Sequence, residues 1–141
     1  MKVVVDTNVL VSAAFWDGDS NKIIEKAEKK EIELVTSREI LEEFSNVLSY
    51  KDIQEKIRDK HLEMKRTVEK IASISTIIKP QKNFNAVKDD PDDNKFLDCA
   101  IAGKADFIIT NDNHLLKLKE FEGIKVVAPG EFLKLKKGDN P

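Results

Sequence analysis

Two acidic residues follow apolar runs that have the character of buried β-strands. Asp6 comes directly after the valines at 3–5, and Asp112 closes a segment that begins with the apolar residues 107–109. Runs of β-branched residues are typical of strands buried on both faces of a parallel sheet. Because α/β proteins build their sites at the carboxyl ends of such strands, we expect Asp6 and Asp112 to share a cleft. Two carboxylates placed together there indicate a divalent-metal site.

A third acid is suggested by the helix predicted over residues 37–48. Its apolar face is centred between Ile40 and Phe44, and Glu43 lies on the edge of that face, roughly 100° from the centre. Glu42 lies roughly 160° away and is expected in solvent. Glu43 is therefore the best inward-leaning acid of this helix, although helical phase alone favours a site role and a surface role equally.

A fourth acid comes from the helix predicted over residues 91–103, with Pro91 at its first position. Asp93 projects within roughly 20° of the centre of the apolar face, in the first turn, where the helix dipole favours a negative charge. Phase again leaves both roles open for Asp93. Asp98 falls on the opposite side of the same helix and is expected in solvent.

The elements that must position these acids alternate between strand and helix along the chain. Such alternation predicts a three-layer α/β/α fold with a mostly parallel central sheet of four or five strands. A capping box, from Thr36 to Glu39, is predicted to open the helix at 37–48. The predicted strands cover 2–6, 32–35, 76–78, 107–110 and 124–127. The predicted helices cover 9–15, 21–30, 37–48, 51–73 in one or two pieces, 91–103, 113–119 and 130–136.

Composition indicates a soluble globular protein with a heavily charged surface. The 141 residues are 40% apolar and 35% charged, so we expect a single domain over 1–141, with a frayed tail at 136–141. The net charge of −2 excludes a generally basic nucleic-acid-binding surface and leaves only local patches. A lone cysteine, Cys99, fits a reducing cytoplasm. Neither a signal peptide nor a membrane span is expected, so the predicted location is cytoplasmic.

The segments around the acids resemble the landmarks of a known family. Asp6-Thr7-Asn8 after a first strand, the segment 90–97 (DPDDNKFL) and the segment 105–112 (ADFIITND) are similar, in this order, to motifs of PIN-domain proteins. The similarity spans Lys2 to about Leu133 and is closest to the VapC-like branch, the toxin components of toxin–antitoxin pairs.

This resemblance implies a metal-dependent ribonuclease that cleaves RNA, with a small antitoxin protein as partner. It implies that Asp6, Glu43, Asp93 and Asp112 are both the catalytic residues and the ligands of one or two Mg²⁺ or Mn²⁺ ions. Asn8 and Thr110 match polar residues that orient the first and last acids. The chemistry agrees independently, because hard divalent cations take oxygen ligands and can activate a water against a phosphodiester.

Other interpretations stay open on sequence alone. The chain could be a non-catalytic protein-interaction module of the same fold, or less readily a phosphatase with Asp6 as nucleophile, although Asn8 stands where the common phosphatase pattern has a second Asp. A homodimer is expected, because the apolar stripe on residues 37–73 is larger than one small sheet can cover. Trp16 is a candidate for stacking on a base, for a subunit contact or for plain packing.

Overall fold

The computed structural model describes residues 1–16, 18–59, 63–80 and 94–135. Its strands are β1 (Lys2–Val5), β2 (Glu33–Ser37), β3 (Ser75–Ile78), β4 (Phe107–Ile109), β5 (Glu120–Phe121) and β6 (Ile124–Val127). Its helices are α1 (Thr7–Phe15), α2 (Asp19–Glu28), α3 (Arg38–Leu48), α4 (Lys51–Asp59), α5 (Met64–Ser73), α6 (Asn94–Ala102), α7 (Asn113–Leu116) and α8 (Pro129–Leu133).

The strands form one mostly parallel sheet in the order β3-β2-β1-β4-β6-β5. From β1, the strands β2 and β3 are added on one side of the sheet, and β4, β6 and β5 lie on the other side. The direction in which strands are added therefore changes between β1 and β4. The carboxyl ends of two strands at such a switch point leave a crevice where α/β proteins bind ligands. With helices on both faces, the predicted three-layer α/β/α fold is confirmed.

The central strand β1 is apolar because it is covered on both faces. Val3, Val4 and Val5 are at most 2% exposed, and β1 lies between β2 and β4 in parallel register. Helix α6 packs against β1, β2 and β4. The chain leaves α6 through Gly103, where a Cβ would stand 2.5 Å from Cγ1 of Val35, so this position needs glycine for close packing onto the sheet.

Over the described residues, the sheet has six strands rather than the four or five predicted. The additional strand is β5, which the sequence did not predict. Strand β5 pairs antiparallel with β6 through a hairpin whose two turn residues, Glu122 (φ 51°) and Gly123 (φ 81°), both have positive φ. Such a turn matches the twist of a two-residue hairpin. A two-residue strand is too short to show an alternating pattern. Its presence also shortens the helix predicted at 113–119 to Asn113–Leu116.

The start of α3 differs by one residue from the predicted capping box. Ser37, rather than Thr36, is the N-cap, and its Oγ accepts a hydrogen bond from the backbone N–H of Ile40 at 3.3 Å. Thr36 belongs to β2, and its side chain is buried in the sheet. With Ser37 as the N-cap, Glu39 is the second residue of α3 rather than the third, so the predicted capping box is wrong.

The helical segment predicted over 51–73 is described as two pieces, α4 and α5, and both contact α3. Val47, Ile53, Met64 and Val68 therefore pack against the core within one chain. Cys99 is fully buried in α6, as expected for a packing role. None of the helices in the described part of the chain has the length and apolar character that a membrane span requires.

Candidate metal centre

Asp6 lies at the switch point of the sheet, immediately after β1. It is 4% exposed, and its backbone N–H donates to the carbonyl of Ile109 at 3.0 Å, which extends the pairing of β1 with β4 by one residue. Continuation of the same register brings Asp6 beside Thr110. The strand pairing thus holds the Asp6 carboxylate at the carboxyl edge of the sheet, as the sequence predicts.

Thr110 joins the first and last predicted acids. Its hydroxyl donates to Oδ2 of Asp6 at 2.6 Å. The hydroxyl oxygen of Thr110 also accepts a hydrogen bond from the backbone N–H of Asp112 at 2.9 Å. Oδ1 of Asp112 in turn accepts the backbone N–H of His114 at 2.7 Å, which makes Asp112 the N-cap of α7. The bond between Thr110 and Asp6 is buried and the two bonds that involve Asp112 are partly buried, and together they orient both carboxylates.

The surroundings of Asp6 disfavour its negative charge. Burial raises the pKa of Asp6 above its ordinary value, and the charges of Asp112 and Glu43 raise it further. The hydrogen bond from Thr110 and the backbone N–H of Asn8 lower the pKa, but by less. A carboxylate in this position gains from either a proton or a nearby cation.

Asn8 acts on Asp6 through its backbone. The Asn8 side chain is exposed. Its backbone N–H lowers the pKa of Asp6, although the Asp6 side chain does not close a capping hydrogen bond onto α1. One residue after Asp6, the buried hydroxyl of Thr7 has no hydrogen-bond partner in the part of the chain that the structure describes. The residues that follow β1 therefore provide a second buried oxygen, the Thr7 hydroxyl, in addition to the Asp6 carboxylate.

Glu43 leans toward the same edge of the sheet and is paired with a lysine. Its carboxylate contacts Nζ of Lys95 in the first turn of α6, and the two side chains are 32% and 20% exposed. Glu42, its neighbour, is 60% exposed and pairs with Arg38 one turn earlier. Helical phase therefore separated these two glutamates correctly, and the Lys95 ammonium neutralises part of the acidic cluster.

The structure corrects one expectation and leaves another untested. Asp93 lies outside the described residues, so its place in the site stays a prediction. Asp98 was expected in solvent, and this is wrong, because it is only 8% exposed. The reason is that α6 is buried on most of its circumference, with Asn94, Phe96 and Ala100 also buried, so it has no broad solvent face for phase to identify.

Sequence reasoning did not place Lys95 or His114 at the site. Lys95 stands two positions after Asp93. A basic residue so close in sequence to a predicted ligand could have indicated that Lys95 lies at the site. Nδ1 of His114 lies 3.5 Å from Oδ1 of Asp112, and the imidazole is 44% exposed. His114 could have been expected near the site because it stands two residues after Asp112, an acid that caps a helix. Both add positive or titratable charge at the rim of the acidic cluster.

The donor set fits a hard divalent cation. Within the described ranges, no three Asp, Glu, His or Cys side chains are close enough to hold one ion. Mg²⁺, however, keeps several waters and needs only one or two carboxylates from the protein. Asp6 and Asp112 supply two carboxylates at this edge of the sheet, and Glu43 lies near enough for its charge to raise the pKa of Asp6.

Comparison with known proteins gives the family. The sequence profile described as PIN domain matches residues 2–114. The chain is 36% identical to the uncharacterized protein MJ1680 of Methanocaldococcus jannaschii over an alignment of 146 residues, which covers 94% of this chain and 90% of that protein.

Two solved structures share the fold. One is the crystal structure of VapBC2 from Rickettsia felis bound to a DNA fragment from their promoter (TM-score 0.60, 18% identity, 89% of this chain and 97% of that chain). The other is that of PAE2754 from Pyrobaculum aerophilum (TM-score 0.56, 14% identity, 95% of this chain and 88% of that chain). The family resemblance carried by the acidic motifs is confirmed, and the chain belongs to the PIN-domain family.

Proposed function

We propose that this protein is a metal-dependent endoribonuclease. The observation that carries the proposal is the pair Asp6 and Asp112, joined through the buried Thr110 at the switch point of the sheet. PIN-domain proteins are generally nucleases and typically bind divalent metal ions, so family membership supports a hydrolase. RNA as the substrate, and Mg²⁺ or Mn²⁺ as the ion, are parts of the proposal.

Asp6, Glu43, Asp93 and Asp112 would hold the ion or ions. The chemistry that a divalent ion would supply there is activation of a water, polarisation of the scissile phosphate and stabilisation of the leaving oxygen. The protein's own contribution is orientation: Thr110 fixes the Asp6 carboxylate, and the backbone N–H of His114 fixes that of Asp112. Held in this way, the carboxylates do not have to reorganise during the reaction.

Lys95 supplies the positive charge that an RNA phosphate requires at an otherwise acidic edge. Its ammonium contacts Glu43 and lies at the start of α6. A phosphate bound there would exchange part of this ion pair for a contact with the substrate. The net charge of −2 makes such a local cation necessary, because the protein as a whole does not attract a polyanion.

The test is cleavage of a labelled single-stranded RNA by the purified protein. We expect internal cuts with Mg²⁺ or Mn²⁺, complete loss of cutting with excess EDTA, and recovery when the metal is restored. Cleavage that survives EDTA would contradict the proposal. Absence of cleavage with either metal, together with unimpaired binding of a protein partner, would favour the non-catalytic interaction module.

We also propose that the chain is the toxin of a toxin–antitoxin pair. Support comes from the fold shared with the VapBC2 structure. A small protein encoded beside this chain should form a stable complex with it and inhibit its cleavage of RNA. If the product of the neighbouring reading frame neither binds nor inhibits, the toxin assignment fails while the nuclease proposal stands.

A homodimer remains part of the proposal, but fewer exposed apolar residues support it than the sequence suggested. Much of the stripe on residues 37–73 packs within the chain, and within the described part of that stripe Tyr50 stays 59% exposed. Outside the stripe, Ile77 of β3 is a second large exposed apolar side chain, 55% exposed. Light scattering at micromolar concentration should show twice the chain mass. A species of 16.0 kDa alone would contradict the dimer.

A further inference from the structure

A cavity of about 200 Å³ opens beside the acidic edge of the sheet. Its lining includes Ser12 of α1, Trp16 at the end of that helix, and Asn111. Asn111 stands between Thr110 and Asp112, and α1 begins one residue after Asp6. The cavity is therefore attached to the proposed metal centre through two segments, α1 and the stretch that follows β4.

Trp16 gives this cavity an exposed aromatic wall. The indole is 47% exposed, although Trp is among the side chains that gain most from burial. It is nonetheless held in place. The buried Phe15 packs edge-on against it with ring centroids 5.9 Å apart, and Nζ of Lys56 lies 4.2 Å from the ring centroid. A fixed and exposed aromatic ring is a platform on which a nucleobase can pack.

The polar groups of the cavity suit a base better than a phosphate. Asp19 also lines it, and its carboxylate would repel a phosphate while accepting an N–H from the edge of a base. Lys56, whose ammonium contacts the Trp16 ring, offers the positive charge for the backbone. Since one water occupies about 30 Å³, the cavity corresponds to roughly seven heavy atoms, which is close to a single pyrimidine ring rather than a whole nucleotide.

We propose that this cavity is a base-binding subsite for a nucleotide next to the cleaved phosphodiester, with Trp16 as the residue that holds the base. The inference rests on the proposed nuclease function, because the cavity gains its meaning from the neighbouring acids. Trp16 and Ser12 then set how tightly a strand binds. A base with N–H donors on its edge is preferred because of Asp19.

The first experiment uses the intrinsic fluorescence of Trp16, the one tryptophan of the chain. In EDTA and low salt, a short single-stranded RNA should quench the emission in a saturable manner. A strand of the same length that lacks bases should quench far less, because only the phosphate contacts remain. Equal quenching by both strands, or no quenching by a strand that demonstrably binds, would overturn the subsite.

The second experiment measures cleavage kinetics of variants. Trp16→Ala should weaken strand binding about 5- to 150-fold, the range typical for one stacked base, and should raise KM more than it lowers kcat. Trp16→Phe should restore most of the loss. Ser12→Leu fills the cavity without removing the ring and should also raise KM. Glu25→Ala removes an exposed side chain of α2 that lies outside the cavity lining, and should change neither constant.

The outcomes separate this inference from the function on which it rests. If the protein cleaves RNA and Trp16→Ala and Ser12→Leu both behave like wild type, the subsite is wrong and the nuclease proposal stands. If RNA quenches Trp16 in a base-dependent manner but no metal supports cleavage, the subsite stands and the nuclease proposal fails.

Discussion

At the scale of single residues, the position of an acid was predicted correctly where it follows from local sequence, and the position of Asp98 was not. Asp6 and Asp112 were expected at the carboxyl edge of the sheet because each follows an apolar strand, and their role as metal ligands stays a prediction. Glu43 could be separated from Glu42 because α3 has one apolar face. Asp98 could not be assigned, since its exposure depends on how much of α6 the rest of the chain covers.

Asp6 leads to a prediction about pH and stability in the metal-free protein. Its pKa is raised in the folded state, so the folded protein keeps a proton that the unfolded chain releases, and stability falls as the pH rises from the ordinary Asp pKa, about 3.9, through the raised value. Asp6→Asn removes this loss and keeps an oxygen to accept the Thr110 hydroxyl. In EDTA, the variant should be at least as stable as wild type at pH 7.

Urea unfolding between pH 4 and pH 7 measures this difference. The midpoint of wild type should drop more over that range than the midpoint of Asp6→Asn. Asp52→Asn, which changes an exposed acid in α4, should follow wild type. An Asp6→Asn protein that is less stable than wild type at pH 7 would show that the buried charge is better compensated than the geometry indicates.

The two adjacent glutamates of α3 form a matched pair for a second test. Glu43→Gln removes a proposed ligand charge and the partner of Lys95, so metal-dependent cleavage should fall about 10-fold or more. Glu42→Gln removes only an exposed pair with Arg38, worth about 0.3–0.5 kcal/mol, and should leave cleavage unchanged. Equal activity of both variants would exclude Glu43 from the metal centre.

At the scale of elements, hydrophobic patterning was sufficient to predict the type and approximate bounds of a strand or helix that is long enough to show a period. β1, β4 and α3 lie close to their predicted bounds for that reason. The failures are short or depend on tertiary contacts. β5 has two residues, and the cap of α3 moved to Ser37 because the sheet extends through Thr36. Sequence periodicity contains no information about where strand pairing stops.

The close approach of α6 to the sheet gives a prediction at this scale. In Gly103→Ala, the new Cβ would stand 2.5 Å from Cγ1 of Val35 and 3.2 Å from Cγ1 of Ile78, so α6 must move outward. Overpacking of this kind costs about 1–3 kcal/mol. Gly18→Ala is the control, because Gly18 has an extended backbone and nothing within 4 Å of an added Cβ. Comparable melting temperatures for the two variants would contradict the packing argument.

At the scale of the whole molecule, topology explains why residues distant in sequence form one centre. Asp6 and Thr110 are separated by 104 positions, yet the placement of β4 beside β1 brings the hydroxyl within 2.6 Å of the carboxylate. Alternation of strands and helices predicted a parallel sheet, but it did not predict the order of its strands. The position of Asp6 and Asp112 after two apolar strands supplied the expectation that these two acids share a cleft, and the strand order gives the physical reason.

Cleavage of RNA by Asp6→Asn tests the central claim most directly. The substitution keeps the shape of the side chain and its contact with Thr110 but removes one charge from the proposed metal site. With Mg²⁺ or Mn²⁺, we expect wild type and Asp52→Asn to cut RNA equally, and Asp6→Asn to show no cleavage above the EDTA background while remaining folded. An Asp6→Asn protein that cuts as fast as wild type would contradict the assignment of this edge of the sheet as a metal-dependent nuclease centre.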